Sequence, residues 1–281
     1  MEQVSDLRLL RGLISKARSS GKTIGFVPTM GAIHKGHLAL VRRAREECEF
    51  VVVSIFVNPL QFGPGEDYQR YPRRLPEDAQ LLEQAGVDLL YTPDAAQFYP
   101  PDFATSVEAA GVSDGGEGSI RPGHFRGVAT VVAKLFLQVS PDVAYFGRKD
   151  LQQVAVLRRM VRDLDFPIRL VSVETVREQD GLAMSSRNAY LAPSERQQAA
   201  ALSRALFAAK DRAARGERDR ETLERQTRAE LEKAGLAVDY VEVVDAATMR
   251  QPALVEPGST MAAAVRVGKT RLIDNVLLLE E

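Results

Sequence analysis

Residues 23–48 read TIGFVPTMGAIHKGHLALVRRAREEC, an apolar run followed by a glycine-containing loop and a helical pattern. Residues 23–27 are a short apolar run between Lys22 and Pro28, which is typical of a buried strand. Beyond the glycine-containing loop, residues 36–48 change to a helical pattern. In an open α/β sheet, ligands bind where strands end and helices begin. The stretch therefore predicts a strand, a ligand-binding loop and a helix.

The same alternation continues along the chain. The valine-rich run at 50–57 predicts a strand buried on both faces. Further strands are predicted at 88–92, 143–146 and 168–173, and helices at 5–20, 75–86, 125–139 and 150–163. Strands that alternate with helices require crossover connections, which are right-handed in nearly all proteins. The prediction is an α/β fold with a doubly wound, Rossmann-like parallel sheet over residues 1–186.

The pattern changes near residue 180. Two charged helical stretches, 194–215 and 219–234, precede apolar runs at 238–244, 260–267 and 271–278. The tripeptide 268–270, Gly-Lys-Thr, is interpreted as the turn between the last two strands. We expect a second, smaller α+β domain over residues 187–281 that closes over the first.

Composition excludes several classes of protein. The chain is 45% hydrophobic and 27% charged, as in an ordinary globular protein. Its net charge of -1 offers no global basic field for nucleic acid or a membrane surface. The single cysteine, Cys48, fits a reducing, cytoplasmic location. The sequence shows no signal-peptide layout and no apolar run of about 18 residues, so we expect no membrane segment.

The loop after the first strand carries the strongest chemical signal. His34 and His37 lie where a helix begins, and its free N–H groups and dipole favour phosphate. Gly31 and Gly36 allow the backbone to approach a ligand closely. Alternatively, one histidine could cap the helix while the other packs in the core. The two histidines could also bind zinc, although no third ligand lies nearby. Convergence of strand, glycines and histidines favours nucleotide binding.

Two further segments carry neutral or flexible groups. Asn58 and Gln61 follow the valine-rich strand and could orient a small polar substrate, although Asn58-Pro59 also fits a simple turn. Residues 114–118, Asp-Gly-Gly-Glu-Gly, look mobile and precede the run 121–128, RPGHFRGV. The 121–128 run could be a closing lid or an ordinary surface loop, and spacing alone favours the surface loop.

Two last segments carry charge. The run 146–150, FGRKD, ends a predicted strand, with Lys149 suited to phosphate and Asp150 to a helix N-cap. Gln153 lies one turn beyond and faces the same way. The run 184–188, MSSRN, places two hydroxyls and a guanidinium at the predicted domain boundary, which suits polyphosphate or a polar turn.

Taken together, these five segments in this order resemble the pantothenate synthetase (pantoate–β-alanine ligase) family over essentially the whole chain. A bare two-histidine loop is shared by a broad nucleotidyltransferase superfamily, whereas the full set is specific to the one family. Ile33 and Gly116 depart from the usual family pattern without touching a proposed polar contact. The resemblance implies that pantoate attacks ATP to give pantoyl adenylate and pyrophosphate, and that β-alanine then gives pantothenate and AMP. Coenzyme A biosynthesis needs this product.

The resemblance also implies roles for individual residues. His37 and His34 would act on the phosphates with Lys149 and Arg187, Asp150 would contact the ribose, and the backbone of Val176 the adenine. The implied ATP contacts are Met30, Gly31, Ala32, Ile33, His34, Lys35, Gly36, His37, Gly147, Arg148, Lys149, Asp150, Val176, Met184, Ser185, Ser186 and Arg187. The implied contacts for pantoate and β-alanine are Gln61, Gln153 and Asn58. Mg²⁺ is expected with ATP, with Asp78 as a candidate protein ligand, and a homodimer is expected.

Other activities make different demands on the sequence. An adenylyltransferase for a phosphate-bearing acceptor should carry extra cations where Asn58, Gln61 and Gln153 are neutral. A tRNA-charging relative should carry a large anticodon-binding extension and a basic face. A non-enzymatic nucleotide sensor should not need the polar site groups, all of which are present.

Overall fold

A computed structural model describes residues 1–280 of the chain. Its larger sheet has six parallel strands in the order β1-β4-β3-β2-β5-β6. The strands are β1 Glu2–Val4, β2 Ile24–Thr29, β3 Phe50–Ile55, β4 Leu89–Tyr91, β5 Val143–Gly147 and β6 Arg169–Val173. The helices of this part are α1 Leu7–Ser19, α2 Lys35–Glu47, α3 Leu75–Gln84, α4 Ala95–Phe98, α5 Gly116–Ile120, α6 His124–Val139 and α7 Leu151–Asp163.

Helices cover both faces of the sheet. Helices α1, α6 and α7 supply apolar side chains to one core, which includes Leu10, Phe136 and Leu157. Helices α2 and α3 supply the other core, which includes Val41 and Leu82. Strand β3 lies between the two cores and its valines are fully buried, as its unbroken apolar run predicts. The doubly wound, Rossmann-like prediction is confirmed.

The strand order places a crevice at the carboxyl ends of β2 and β5. From β2 the chain moves to β3 and β4 on one side, and later returns to β5 and β6 on the other. The loops that follow β2 and β5 therefore diverge, one into α2 and the other into α7. Such a switch point is the usual place for a ligand in this architecture.

The second unit is smaller and antiparallel. Strands β7 Ala237–Asp245, β8 Ser259–Val267 and β9 Thr270–Leu277 form one three-stranded sheet. Its helices are α8 Pro193–Ala199, α9 Ala201–Ala214 and α10 Arg220–Lys233. Leu206, Leu223 and Met261 belong to its own buried core, so the predicted α+β unit is confirmed. We propose the boundary at 186/187, within the 3-10 helix Ser186–Tyr190 that joins the two parts.

Several elements differ from the sequence predictions. Edge strand β1 was not predicted, because its three residues are largely exposed and carry no apolar alternation. The predicted helix 194–215 is two helices with Ala200 between them. Residues 116–118 of the segment that was expected to be mobile form the first part of α5, where Glu117 is buried against Arg271. Within residues 1–280, we find no helix with the length and apolar character needed to cross a bilayer.

Candidate functional site

A cleft of about 650 Å³ lies between the switch point and the second unit. Its walls include the β2–α2 loop, the β5–α7 loop, the segment after β3 and the 176–188 segment. Strand β9 contributes its face from the second unit. All five segments singled out in the sequence thus contribute to the lining of one cleft. The 121–128 run also bonds to the segment after β3, through the Gln61 carbonyl.

The two histidines of the β2–α2 loop stack on each other, with ring centroids 4.1 Å apart. His34 Nδ1 accepts a hydrogen bond from Gly36 N at 3.1 Å, and His37 Nδ1 accepts one from His34 N at 3.4 Å. A neutral imidazole that accepts at Nδ1 carries its proton on Nε2. Both rings therefore act as N-terminal caps of α2 and keep an Nε2–H free to donate to a ligand.

Burial keeps both rings uncharged. Burial, and then the neighbouring His34, lowers the pKa of His37 to about 3. Burial, and then the Lys149 ammonium, lowers the pKa of His34. At neutral pH the pair consists of neutral hydrogen-bond donors, whereas Lys149 brings the positive charge.

Asp78 has a different task from the one that the resemblance implied. It is 3% exposed, and its carboxylate accepts hydrogen bonds from Ala32 N at 2.8 Å and Ile33 N at 2.7 Å. Ala32 has a φ of 51°, a left-handed conformation that is uncommon for a residue other than glycine. Both carboxylate oxygens are thus used to hold the loop, which does not support Asp78 as a metal ligand.

Gln61 faces the cleft from a 3-10 helix, Pro59–Gln61. Its Nε2 donates to Met30 Sδ at 3.1 Å, and its Oε1 accepts from Asn58 Nδ2 at 3.0 Å. Asn58 is fully buried and also bonds to Gly127 O, Leu60 N and the Tyr99 hydroxyl. With its amide used by these partners, Asn58 orients the Gln61 side chain at the wall of the cleft.

The 121–128 run is neither a lid nor a plain surface loop. His124 Nδ1–H donates to the Gln61 carbonyl at 2.8 Å, and Arg121 donates to His124 Nε2 at 3.0 Å. Arg121 also binds both carboxylate oxygens of Glu66, at 2.7 and 2.6 Å. Burial, and then Arg121, lowers the pKa of His124 to about 4, so this ring is neutral as well. The run clamps the Gln61 segment onto α6.

The β5–α7 loop brings the Lys149 ammonium to the cleft. Lys149 Nζ lies 3.5 Å from Asp150 Oδ1. Asp150 occupies the N-cap position of α7, but its side chain makes no capping hydrogen bond. That side chain is about half exposed and lines the cleft. Gly147 and Gln153 also line the cleft, whereas Arg148 forms an ion pair with Glu174.

The 184–187 segment crosses the cleft and docks on the region after β3. Arg187 binds both carboxylate oxygens of Asp67, at 3.0 and 2.9 Å, and Ser186 Oγ lies 3.3 Å from the Tyr71 hydroxyl. Burial alone would raise the pKa of Asp67, but Arg187 outweighs it and the pKa is lowered. Arg187 is therefore placed over the cleft with its guanidinium already held.

The remaining predicted contacts lie beside this segment. The Val176 carbonyl accepts from Met184 N at 2.9 Å, which brings both residues to the cleft wall. Ser185 Oγ caps the 3-10 helix by accepting from Arg187 N at 3.3 Å. Lys35 is exposed at the start of α2, outside the wall of the cleft.

The sequence does not reveal which residues position the site, and for Asp78 it suggests a metal-ligand role instead. Glu66, Asp67 and Asp78 each act on a partner 45 or more residues away, so no local spacing indicates the pairing. Asn275 is a further example, because it bonds to the Lys149 carbonyl from the second unit. For the carboxylates, the one indication in the sequence is that residues of opposite charge lie near the five motifs.

This arrangement suits the activation of a carboxylate by a nucleotide. Neutral donors and the Lys149 ammonium face the same cleft, where they can stabilise charge on phosphoryl oxygens. The neutral carboxamide of Gln61 lies on the adjoining wall and can hold a small hydroxylated acid. Among residues 1–280, no Ser, Cys or Thr that lines the cleft is paired with a general base as a covalent nucleophile would be.

Comparisons with known proteins agree with this chemistry. The chain matches the Pantoate-beta-alanine ligase family over residues 2–277. It is 51% identical over 279 residues to a pantothenate synthetase of Heliobacterium modesticaldum, with 99% of both chains covered. It is 50% identical over 279 residues to one of Thermotoga petrophila, covering 99% of this chain and 100% of the relative.

Solved structures give the same result. A pantothenate synthetase from Thermus thermophilus superposes with a TM-score of 0.95 at 49% identity, covering 99% of this chain and 100% of that one. A pantoate–β-alanine ligase from Francisella tularensis, solved with βγ ATP and β-alanine, gives 0.80 at 33% identity over 99% and 98% of the chains. The resemblance inferred from the motifs is confirmed, and the chain belongs to the pantoate–β-alanine ligase family.

Proposed function

We propose that the cleft joins pantoate to β-alanine in two steps, both at the β2–β5 switch point. The chain is an ATP-dependent ligase. In the first step a pantoate carboxylate oxygen attacks the α-phosphorus of ATP, the α–β bridging P–O bond breaks, and pyrophosphate leaves. In the second step the uncharged amine of β-alanine attacks the acyl carbon of pantoyl adenylate, the bond between that carbon and the phosphate oxygen breaks, AMP leaves, and the new amide nitrogen gives up a proton to solvent. Pantothenate is the product.

The first step needs positioning and charge stabilisation, with no covalent group from the protein. His34 and His37 would donate their Nε2–H groups to the phosphates, and Lys149 would neutralise charge there. Because burial lowers the pKa of His37 to about 3, it serves as a hydrogen-bond donor and not as an acid that loses its proton at neutral pH. Arg187 would cover the phosphates from the opposite wall.

The remaining ATP contacts follow from the shape of the cleft. The loop from Met30 to Gly36 would run along the nucleotide, and the left-handed Gly31 and Ala32 would keep its backbone close. Gly147 and Asp150 would face the ribose, and the backbone of Val176 the adenine. Arg148 and Lys35 would contribute through their backbone or at the rim, since Arg148 is paired with Glu174 and Lys35 is exposed.

Pantoate would lie against Gln61 and Gln153, whose neutral amides can bond to its hydroxyl groups. Gln61 Nε2 contacts only the weak acceptor Met30 Sδ, so a substrate oxygen can replace that contact at little cost. Asn58 would support this pocket by orienting Gln61. β-Alanine would enter on the same side.

We infer that Mg²⁺ enters with ATP. Among residues 1–280 no group of three His, Cys, Asp or Glu side chains offers a metal cage, and Asp78 is occupied by backbone N–H groups. The residues thus do not form a resident site, and phosphate oxygens and water would hold the ion. We also propose a homodimer and a cytoplasmic location, which light scattering and fractionation can test.

The convergence of the histidine pair, Lys149 and the Gln61 pocket on one cleft carries this proposal. Its test is AMP release by the purified protein with ATP, Mg²⁺, pantoate and β-alanine, with each component omitted in turn. We expect AMP only with the full set. Absence of AMP with the full set, combined with turnover of another acid or amine, would contradict the proposed substrates.

A further inference from the structure

Two adjacent side chains of β9, Asp274 and Asn275, connect the second unit to two nucleotide-facing segments of the first. Asn275 is 5% exposed and Asp274 is 2% exposed. Neither belongs to a motif that the sequence singled out. Both point to groups within a few residues of proposed ATP contacts.

Asn275 holds the β5–α7 loop. Its Nδ2 donates to the Arg148 carbonyl at 3.0 Å and to the Lys149 carbonyl at 2.8 Å. Only the amide NH₂ can donate to two carbonyls, so the chemistry fixes the orientation of the side chain. The backbone on both sides of the Lys149 side chain is therefore held from the second unit.

Asp274 holds the 176–184 segment. Arg177 donates to Asp274 Oδ2 at 2.6 Å and Oδ1 at 3.0 Å, and also to the Gly181 carbonyl at 3.2 Å. Arg177 directly follows Val176 and pairs across the segment with Ala183, next to Met184. This buried pair thus anchors the base of the segment that leads to Arg187.

We propose that Asn275 is a positioning residue for Lys149, and that Asp274 does the same for the Val176–Arg187 wall, so that β9 assembles the ATP site across the two units. The inference rests on the proposed function. A small displacement of a catalytic group by a remote change can reduce the rate by up to about 100-fold. Removal of the Asn275 amide should therefore act through the position of Lys149.

The experiment is a double-mutant cycle on pantoate-dependent exchange of labelled pyrophosphate into ATP, which measures only the first step. We expect Asn275→Ala to slow exchange by about 10- to 100-fold at saturating ATP. In a Lys149→Ala background the same change should have an effect of less than about twofold, because the group that it positions is gone. Losses that multiply in the double mutant would overturn the inference, as would an Asn275→Ala rate within about twofold of the original.

Control variants distinguish a displaced Lys149 from a general loss of stability, and the exchange rate of the original protein tests the proposed function separately. Ser259→Ala removes another buried polar group of the same sheet, whose hydroxyl accepts from Glu256 N. Neither residue lines the cleft, so this change should leave exchange unchanged. Asn275→Ser keeps one donor, should retain intermediate exchange, and replaces the alanine variant if that does not fold. If the original protein shows no pantoate-dependent exchange, the proposed function fails. If it does and Asn275→Ala matches it, only the positioning role fails.

Discussion

At the scale of single residues, the site depends on histidines that stay neutral. All three histidines of the chain, His34, His37 and His124, have a lowered pKa for which burial is the largest cause. The hydrogen bonds at Nδ1 fix which nitrogen carries each proton. His34 and His37 present Nε2–H to the cleft, whereas His124 uses Nδ1–H to hold the Gln61 carbonyl.

This neutrality makes the stability of the protein depend on pH. An unfolded histidine takes up a proton below its ordinary pKa of 6.5, whereas these folded rings do so only at lower pH. Between pH 6.5 and 5 the unfolded chain thus binds more protons, and stability falls as the pH falls, by up to about 1.4 kcal/mol per histidine per pH unit.

NMR titration of the three imidazoles and urea unfolding across this pH window check the prediction. No ring should titrate near 6.5. A histidine that titrates there without ligand would show an exposed, charged ring and would contradict the neutral-donor role.

Asp78 is the residue whose role changed most between sequence and structure. Its carboxylate holds Ala32 N and Ile33 N in a loop with a left-handed Ala32. In Asp78→Asn, the new NH₂ group would face one of these N–H donors. We expect a loss of about 2 kcal/mol in the free energy of unfolding and weaker ATP binding.

Urea unfolding and ATP titration of Asp78→Asn measure both effects. Glu77→Gln is the matched control, because Glu77 is exposed in the same turn of α3 and should change neither quantity. A variant with original stability and weakened dependence on Mg²⁺ would instead support Asp78 as a metal ligand.

At the scale of elements, the close approach of α6 to the Pro59–Gln61 helix holds the wall of the cleft where we propose that pantoate binds. A Cβ at Gly127 would lie 2.2 Å from Leu60 O and 2.8 Å from Gln61 Cα, and both are backbone atoms that cannot move aside alone. The absence of a side chain at this position thus allows α6 and Gln61 to pack. Asn58 and His124 then fix the pocket from both sides.

Gly127→Ala should therefore displace the Gln61 segment. We expect the KM for pantoate to rise about tenfold, with a smaller change for ATP, because ground-state contacts to pantoate are lost. Overpacking should also lower the free energy of unfolding by about 1–3 kcal/mol. Steady-state kinetics and urea unfolding measure these effects.

Gly12→Ala is the control for that substitution. Gly12 is exposed within α1, and a Cβ there meets nothing within 4 Å. It should leave kinetics unchanged and raise stability by up to about 1 kcal/mol, since alanine favours helix. Unchanged pantoate KM in Gly127→Ala would mean that the pocket does not depend on this contact.

Regular elements were predictable because their signals are local. The valine-rich run at 50–57 predicts a strand, and the apolar pattern around His34 predicts a strand, a loop and a helix. Strand β1 has too few apolar residues to show one, and α5 follows glycines that look like a flexible loop. Its order comes from Arg271, which is 154 residues distant from Glu117.

At the scale of the whole molecule, long-range ion pairs close the cleft between the two units. Arg271 binds both oxygens of Glu117 at 2.6 and 2.7 Å and also donates to Asp239. Arg187 makes a similar bidentate pair with Asp67 across the opening. The sequence predicted that the cleft lies at the domain junction, but not which charges hold it.

Glu117→Gln should weaken the contact between the two units, because it removes the Arg271–Glu117 ion pair. It leaves Arg271 with one of its two carboxylate partners, so we expect a loss of about 3 kcal/mol in the free energy of unfolding. Hydrogen exchange in α5 should become faster. Glu108→Gln, at an exposed position, is the control. Stability equal to that of the original chain would show that this pair does not hold the units together.

We propose that the neutral His37, at the switch point of the sheet, stabilises the charge that develops when pantoate attacks ATP. The direct measurement is pantoate-dependent pyrophosphate–ATP exchange by His37→Ala, with circular dichroism to verify folding. The exposed Arg42→Ala variant on the same helix serves as control. We predict full exchange in the control and a loss of about 100- to 1,000-fold in His37→Ala. Exchange at the original rate in a folded His37→Ala protein would contradict the account.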